Sequence, residues 1–198
     1  MDSYGSMMGR LDLRVTSPDA RIRGRIRGTN DADIKFVGNA YREYTEAAMG
    51  VQLGALFQLM WTGHRRASLM ATAETLGQDN ADEESHPTTP AGRELFAKRS
   101  EMPLSAVSAN GYVRVACVGW RNWTVDIENG TFDALTESEF RAELRSLVDP
   151  LMDDYHTKLQ PLLDEFVRRT DPDGFQRAKD AERMWRRQER NATSGERH

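Results

Sequence analysis

The segment "ARIRGRIRG", Ala20 to Gly28, places Arg21, Arg23, Arg25 and Arg27 at every second position, with Ile22, Gly24 and Ile26 between them. Alternation by two is the period of a strand, in which successive side chains point to opposite faces, so the four guanidinium groups share one face. Two uses of such a face compete. Charge on a strand keeps it from pairing with other chains, whereas a row of bidentate donors fits phosphate oxygens or the carboxylates of a protein partner. A second basic group, Arg183, Arg186, Arg187 and Arg190, follows the breaker "DPDG" and flanks Trp185. It reads as a short basic helix running into a polar tail. These eight arginines are the candidate nucleic-acid-binding residues.

Residues suited to catalysis are scattered. His64, His86, His156 and His198 have no metal-ligand spacing to Cys117. The sequence has no phosphate-binding glycine loop, dinucleotide-binding glycine pattern or nucleophile elbow. Asp149, Asp153 and Asp154 read as a solvated helix face. The expectation is a non-enzymatic protein without metal or cofactor. Cys117 sits in the apolar run "YVRVACVG" and reads as a small buried hydrophobe, and one cysteine leaves no disulfide within the chain.

The 198 residues allow one large domain or two small ones. A net charge of −4 argues against wholesale coating of nucleic acid, so any binding must come from local patches. "MDSYGSMMGRLDLRV" lacks the basic-then-apolar order of a secretory signal, and "AAMGVQLGALFQLMW" is too short, with Gln52 and Gln58 inside it, to span a bilayer. A cytoplasmic location without membrane contact is expected.

The elements that position the arginines emerge from a repeat. Shifting the chain by 91 positions lays Ser17 on Ser108, Arg23 on Arg114, Gly28 on Gly119 and Thr45-Glu46 on Thr136-Glu137 without a gap. Apolar positions follow: Ile22 with Val113, Ile34 with Val125, Tyr41 with Phe132 and Met49 with Phe140. Each half reads as three strands and a helix. The strands are expected near Leu11–Ser17, Arg21–Gly28 and Asp33–Val37, then Leu104–Ser108, Tyr112–Gly119 and Trp123–Glu128.

Thr136-Glu-Ser-Glu139 is a capping box that starts the second long helix. Phe140, Leu144, Leu147 and Leu151 mark its apolar face at spacings of three and four, and Pro150 should kink or restart it. The first long helix, Ala40 to Leu76, carries Met49, Leu53, Leu56 and Met60 on its principal face. Gly50 and Gly54 on it permit close approach of another backbone. These eight apolar residues are the expected interface positions. The domains expected are a first repeat at 1–76, an acidic linker at 77–99, a second repeat at 100–170 and a basic helix with a disordered tail at 171–198.

"SANGYVRVACVGWRNWTVDIEN" leading into "LTESEFRAELRSLVDPLMDDYHTKL" resembles the YbaB/EbfC family of bacterial nucleoid-associated proteins, well over Pro103 to Leu159 and more weakly over Leu11 to Trp61. Arg, Asp and Ala usage also looks actinobacterial. The resemblance implies an α+β fold of two units, each a three-stranded antiparallel sheet followed by a long helix, forming a pseudo-dimer within one chain. It also implies largely sequence-nonspecific DNA binding at the nucleoid, with homo-oligomers possible. The family's N-terminal helix is not expected here. The alternative is a cytosolic accessory or chaperone-like protein of type VII secretion that binds a polypeptide partner.

In the aligned register Arg21, Arg25 and Arg27 fall on Tyr112, Ala116 and Val118. This difference predicts a sheet face that is exposed in the first half and covered in the second.

Overall fold

The computed structural model describes residues 3–28, 31–76, 87, 89–177, 179, 180 and 184. In chain order they form α1 (Tyr4–Gly9), β1 (Asp12–Thr16), β2 (Ile22–Arg27), β3 (Asp31–Phe36), α2 (Ala40–Glu43), α3 (Glu46–Leu76), α4 (Pro90–Ser100), β4 (Pro103–Val107), β5 (Val113–Val118), β6 (Arg121–Ile127), α5 (Thr131–Ala134), α6 (Glu137–Ser146) and α7 (Val148–Thr170). The architecture is mixed α+β, with two three-stranded antiparallel sheets ordered β1-β2-β3 and β4-β5-β6, each followed by helices. The six strands lie where alternation and turn chemistry put them.

The offset of 91 recurs in the main-chain hydrogen bonds. The Ile22 amide donates to Ser17 Oγ at 2.9 Å, and the Val113 amide donates to Ser108 Oγ at 3.0 Å. Both serines are buried. The Gly28 amide donates to the Leu11 carbonyl as that of Gly119 does to Met102, and Val37 to Arg21 as Glu128 to Tyr112. Gly28 and Gly119 both hold positive φ, 59° and 54°, a conformation that glycine adopts without steric cost. At the matching turn position stand Ala20 and Gly111, again both with positive φ.

Contacts divide the chain into one unit of Met1–His86 with Ser100–Tyr155 and another of Pro87–Arg99 with His156–His198. This division differs from the expected domains: the first repeat shares a unit with the second as far as Tyr155, and residues 156–170 of the expected second repeat fall in the other unit. Part of the expected linker 77–99 is helical: Pro90 opens α4, where the lack of an amide hydrogen is harmless, and the Gly92 amide donates to Thr89 Oγ1 at 3.1 Å. In the second unit, α4 and the later turns of α7 are tied by Lys98 to Glu165 and by Arg169 to Glu94, with Glu94 and Lys98 also paired along α4.

Three further expectations need correction. A helix does precede the first strand, α1, capped by Ser3 Oγ and anchored by the buried Met8. The span Ala40–Leu76 is two helices. Tyr44 turns extended, with ψ 152°, and Thr45 Oγ1 accepts from the Ala48 amide at 3.3 Å, so α3 begins anew. The sheet-2 face expected to be covered is open, since Val107 and Val118 are 48% and 41% exposed.

The restart expected at Pro150 takes place between α6 and α7. Leu147 ends α6, and Pro150 falls in the first turn of α7, where its missing N–H withholds a bond from the Ser146 carbonyl.

In the first unit, α3 lies along the free edge of β6. Glu46, Gly50, Gly54 and Gln58 are each four apart and so form one helical ridge. Glu46 Oε1 accepts from the Gly130 amide at 3.1 Å, and Gln58 Oε1 from the Asn122 amide at 3.2 Å. Between them, Gly50 faces the Val125 carbonyl oxygen, and Gly54 sits where a Cβ would come 2.8 Å from that of Trp123. The corresponding ridge of α6 stands at β3, where Arg141 and Arg145 donate to Asp33 Oδ1 at 2.7 and 3.3 Å. Tyr41 and its counterpart Phe132 meet edge to face at 5.0 Å, flanked by Phe36 and Phe140.

Candidate nucleic-acid interface

The antiparallel register sorts the outer face of the first sheet into three cross-strand rungs: Asp12–Arg27–Asp31, Arg14–Arg25–Asp33 and Thr16–Arg23–Lys35. The opposite face carries Ile22 and Ile34 into the core. Strand period therefore delivers Arg23, Arg25 and Arg27 to one surface, as expected, while Arg21 precedes β2 and lies outside these rungs. It also delivers Arg14 and Lys35, which the sequence reading did not single out. The signal for both was available in the alternations "DLRVT" and "DADIKF".

The arginines differ in how far they are engaged. Arg25 grips Asp12 with two bonds, Nε to Oδ1 at 2.6 Å and Nη2 to Oδ2 at 2.9 Å, and Arg14 reaches the same carboxylate at 2.8 Å. The Arg25 hydrogen bond, then that of Arg14, holds the Asp12 carboxyl well below the usual carboxylate range. Arg27 pairs with Asp31 at 2.8 Å. Arg21 pairs with Glu43 and lies over the Tyr44 ring at 4.9 Å. Tyr44 in turn donates to Asp19, and burial together with that bond pushes its hydroxyl up to about 12.

Arg23 is exposed and has no carboxylate partner among the described residues; its direct cross-strand neighbour is the exposed Lys35. Formal charges thus sum to one negative on the Asp12 rung, one positive on the Arg14 rung and two positive on the Thr16 rung. The second sheet shows the contrast. Arg114, which matches Arg23, stands opposite Asp126 and 3.7 Å from Glu128.

The remaining candidates are placed as follows. Arg183, Arg186, Arg187 and Arg190 lie outside the described residues. Met49, Leu53, Leu56, Met60, Phe140, Leu144, Leu147 and Leu151 are all buried within the chain's own first unit. Asp154, assigned to a solvated acidic face, accepts the Ser105 amide at 3.0 Å. Among the described residues no group of histidine, cysteine and carboxylate side chains could hold a metal ion.

Trp61 stacks on Trp120 at 4.3 Å, and burial lowers the pKa of His64 beside it. In the second unit an open groove of about 320 Å³ lies between Leu95, Phe96 and Phe166, with Thr89 and Arg99 as its polar side chains. No helix among the described residues is long and apolar enough to cross a membrane. Comparison with family models, curated proteins and solved structures finds no match to this chain.

Proposed function

We propose that this protein binds DNA without reading its sequence, at the nucleoid in the cytoplasm, and that its two repeats form a YbaB/EbfC-like pseudo-dimer inside one chain. The observation that carries the reading is the Arg23–Lys35 pair. Two exposed cations placed directly across a strand pair repel each other, and an anion between them removes that cost. Arg14 and Arg25 on the next rung, although bound to Asp12, leave that rung with a net positive charge that draws a phosphate backbone to this end of the sheet. Contacts of this kind position a duplex and carry no base information. The proposed role is non-enzymatic and requires no bond-making step.

The test is fluorescence anisotropy of a labelled duplex titrated with the full chain across potassium chloride concentrations. Binding should weaken with salt, and the variant Arg23→Gln/Lys35→Gln should flatten the log–log slope by about 2, near 0.9 for each phosphate that the variant no longer neutralises. Absence of binding at low salt, or an unchanged slope in the variant, overturns the reading.

A second reading, a polypeptide partner as in type VII secretion accessories, is favoured by the exposed Val107 and Val118 on the second sheet. Affinity for a polypeptide that persists at high salt would favour it, because apolar contacts are screened little.

A further inference from the structure

The first sheet carries its own anions among its cations. Asp12 sits on β1 and Asp31 on β3, both exposed, and they flank Arg27 in one rung. Their carboxylates take donor groups that a phosphate would use: the Nε–Nη2 edge of Arg25 and Nη2 of Arg14 toward Asp12, and Nη2 of Arg27 toward Asp31. We propose that Asp12 and Asp31 are built-in competitors of phosphate, confining the DNA contact to the Arg23–Lys35 end of the sheet and holding affinity below what the full cation row could deliver.

This inference rests on the DNA reading and specifies how that site is limited. A carboxylate and a phosphate oxygen accept the same bidentate geometry from arginine. For DNA to reach Arg25 or Arg27 it must therefore displace an intramolecular partner, whereas Arg23 and Lys35 require no such exchange. The expected footprint is graded along β2, from Arg23 inward to Arg27. Replacing the two aspartates with the near-isosteric amide removes the charge and one acceptor oxygen of each, which loosens the hold on the arginine donors without removing any.

The experiment measures anisotropy of the same duplex with the wild-type chain, with Asp12→Asn/Asp31→Asn and with Arg23→Gln/Lys35→Gln. Two controls are included. One combines Asp12→Asn/Asp31→Asn with Arg14→Gln/Arg25→Gln/Arg27→Gln; the other is Glu101→Gln/Asp133→Asn, which removes two exposed carboxylates elsewhere. The proposal expects Asp12→Asn/Asp31→Asn to bind about three- to tenfold more tightly at low salt, with a slope steeper by about 2 to 3 for the three arginines released. That gain should vanish in the first control and be absent from the second. No gain, while Arg23→Gln/Lys35→Gln still weakens binding, overturns the competitor role and leaves the DNA site standing. An equal gain in Glu101→Gln/Asp133→Asn also overturns it, since net charge alone then accounts for the effect. Failure of both the wild type and Asp12→Asn/Asp31→Asn to bind overturns the DNA reading and the inference together.

Discussion

Gly50 stands against the carbonyl oxygen of Val125 so closely that a Cβ on Gly50 has no room, and the atom it would strike is backbone. Alanine is the better helix former by about 1 kcal/mol, yet here it would push α3 off the edge of β6. Gly50→Ala should therefore destabilise the protein by at least about 2 kcal/mol, read as a lower urea midpoint. Gly63→Ala on the same helix meets only the flexible Leu13 side chain and should change stability by under about 1 kcal/mol. Equal effects at the two positions would refute the close-contact account.

Glu143 is buried and accepts three hydrogen bonds: from Ser108 Oγ at 2.6 Å, from the Asn110 amide at 3.1 Å and from Asn110 Nδ2 at 2.6 Å. Glu143→Gln sets an NH₂ group against these donors and should cost about 1–3 kcal/mol in thermal or chemical unfolding. The matching serine of the first repeat, Ser17, donates instead to the exposed Asp19 at 2.6 Å. Asp19→Asn should therefore cost clearly less than Glu143→Gln.

Acid stability should depend on Asp33. Burial raises its carboxyl pKa, but the Arg141 hydrogen bond and charge, joined by Arg145, outweigh burial and leave it lowered. A lowered folded-state pKa gives stability that is present above the unfolded value, near 3.9, and is lost as pH falls through the folded one. In Asp33→Asn, stability at neutral pH should drop and the decline below about pH 4 should be shallower. Denaturation midpoints measured between neutral pH and strong acid check both. A decline as steep as that of the wild type would rule the ion pair out as a source of acid sensitivity.

The Cys117 thiol is buried, and that burial pushes its pKa up to about 11. The nucleophilic thiolate is thus scarce at neutral pH. A chromogenic disulfide reagent should modify Cys117 slowly in the native protein and rapidly in denaturant. Fast native labelling would contradict the packing of β5.

Thr136 caps α6 with both arms of a capping box: its Oγ1 accepts from the Glu139 amide at 3.3 Å, and the Thr136 amide donates to Glu139 Oε2 at 2.7 Å. Thr136→Ala should lower stability by about 1 kcal/mol. Thr136→Ser should retain most of it.

Local chemistry accounts for what was legible in the sequence. Strand alternation, the turn residues after Ser17 and Ser108 and the capping box at Thr136 all act within a few residues, so pattern alone located them; the spacing of Gly50 and Gly54 marked a close approach without showing that β6 is the element approached. The shift of 91 went further, because main-chain hydrogen bonds repeat at the same offset. What escaped depended on cross-strand register. Arg23 opposite Lys35, and Asp12 beneath Arg25, follow from how β1, β2 and β3 align, which no single strand encodes. The break at Tyr44 escaped because its signal is partial: Thr45 is an N-cap residue aligned on the capping Thr136, but Ala48 stands where Glu139 completes the capping box of the second repeat.

Each repeat sets a helix against the other's edge strand: α3 from the first lies over the edge of β6, and α6 from the second pairs its arginines with Asp33 of β3. A chain severed between residues 76 and 90 would yield two pieces, each with a strand edge stripped of its cover. An unpaired row of amides and carbonyls is the template on which chains aggregate. The halves are thus each other's chaperone, and coexpressed fragments should reassemble where either alone precipitates.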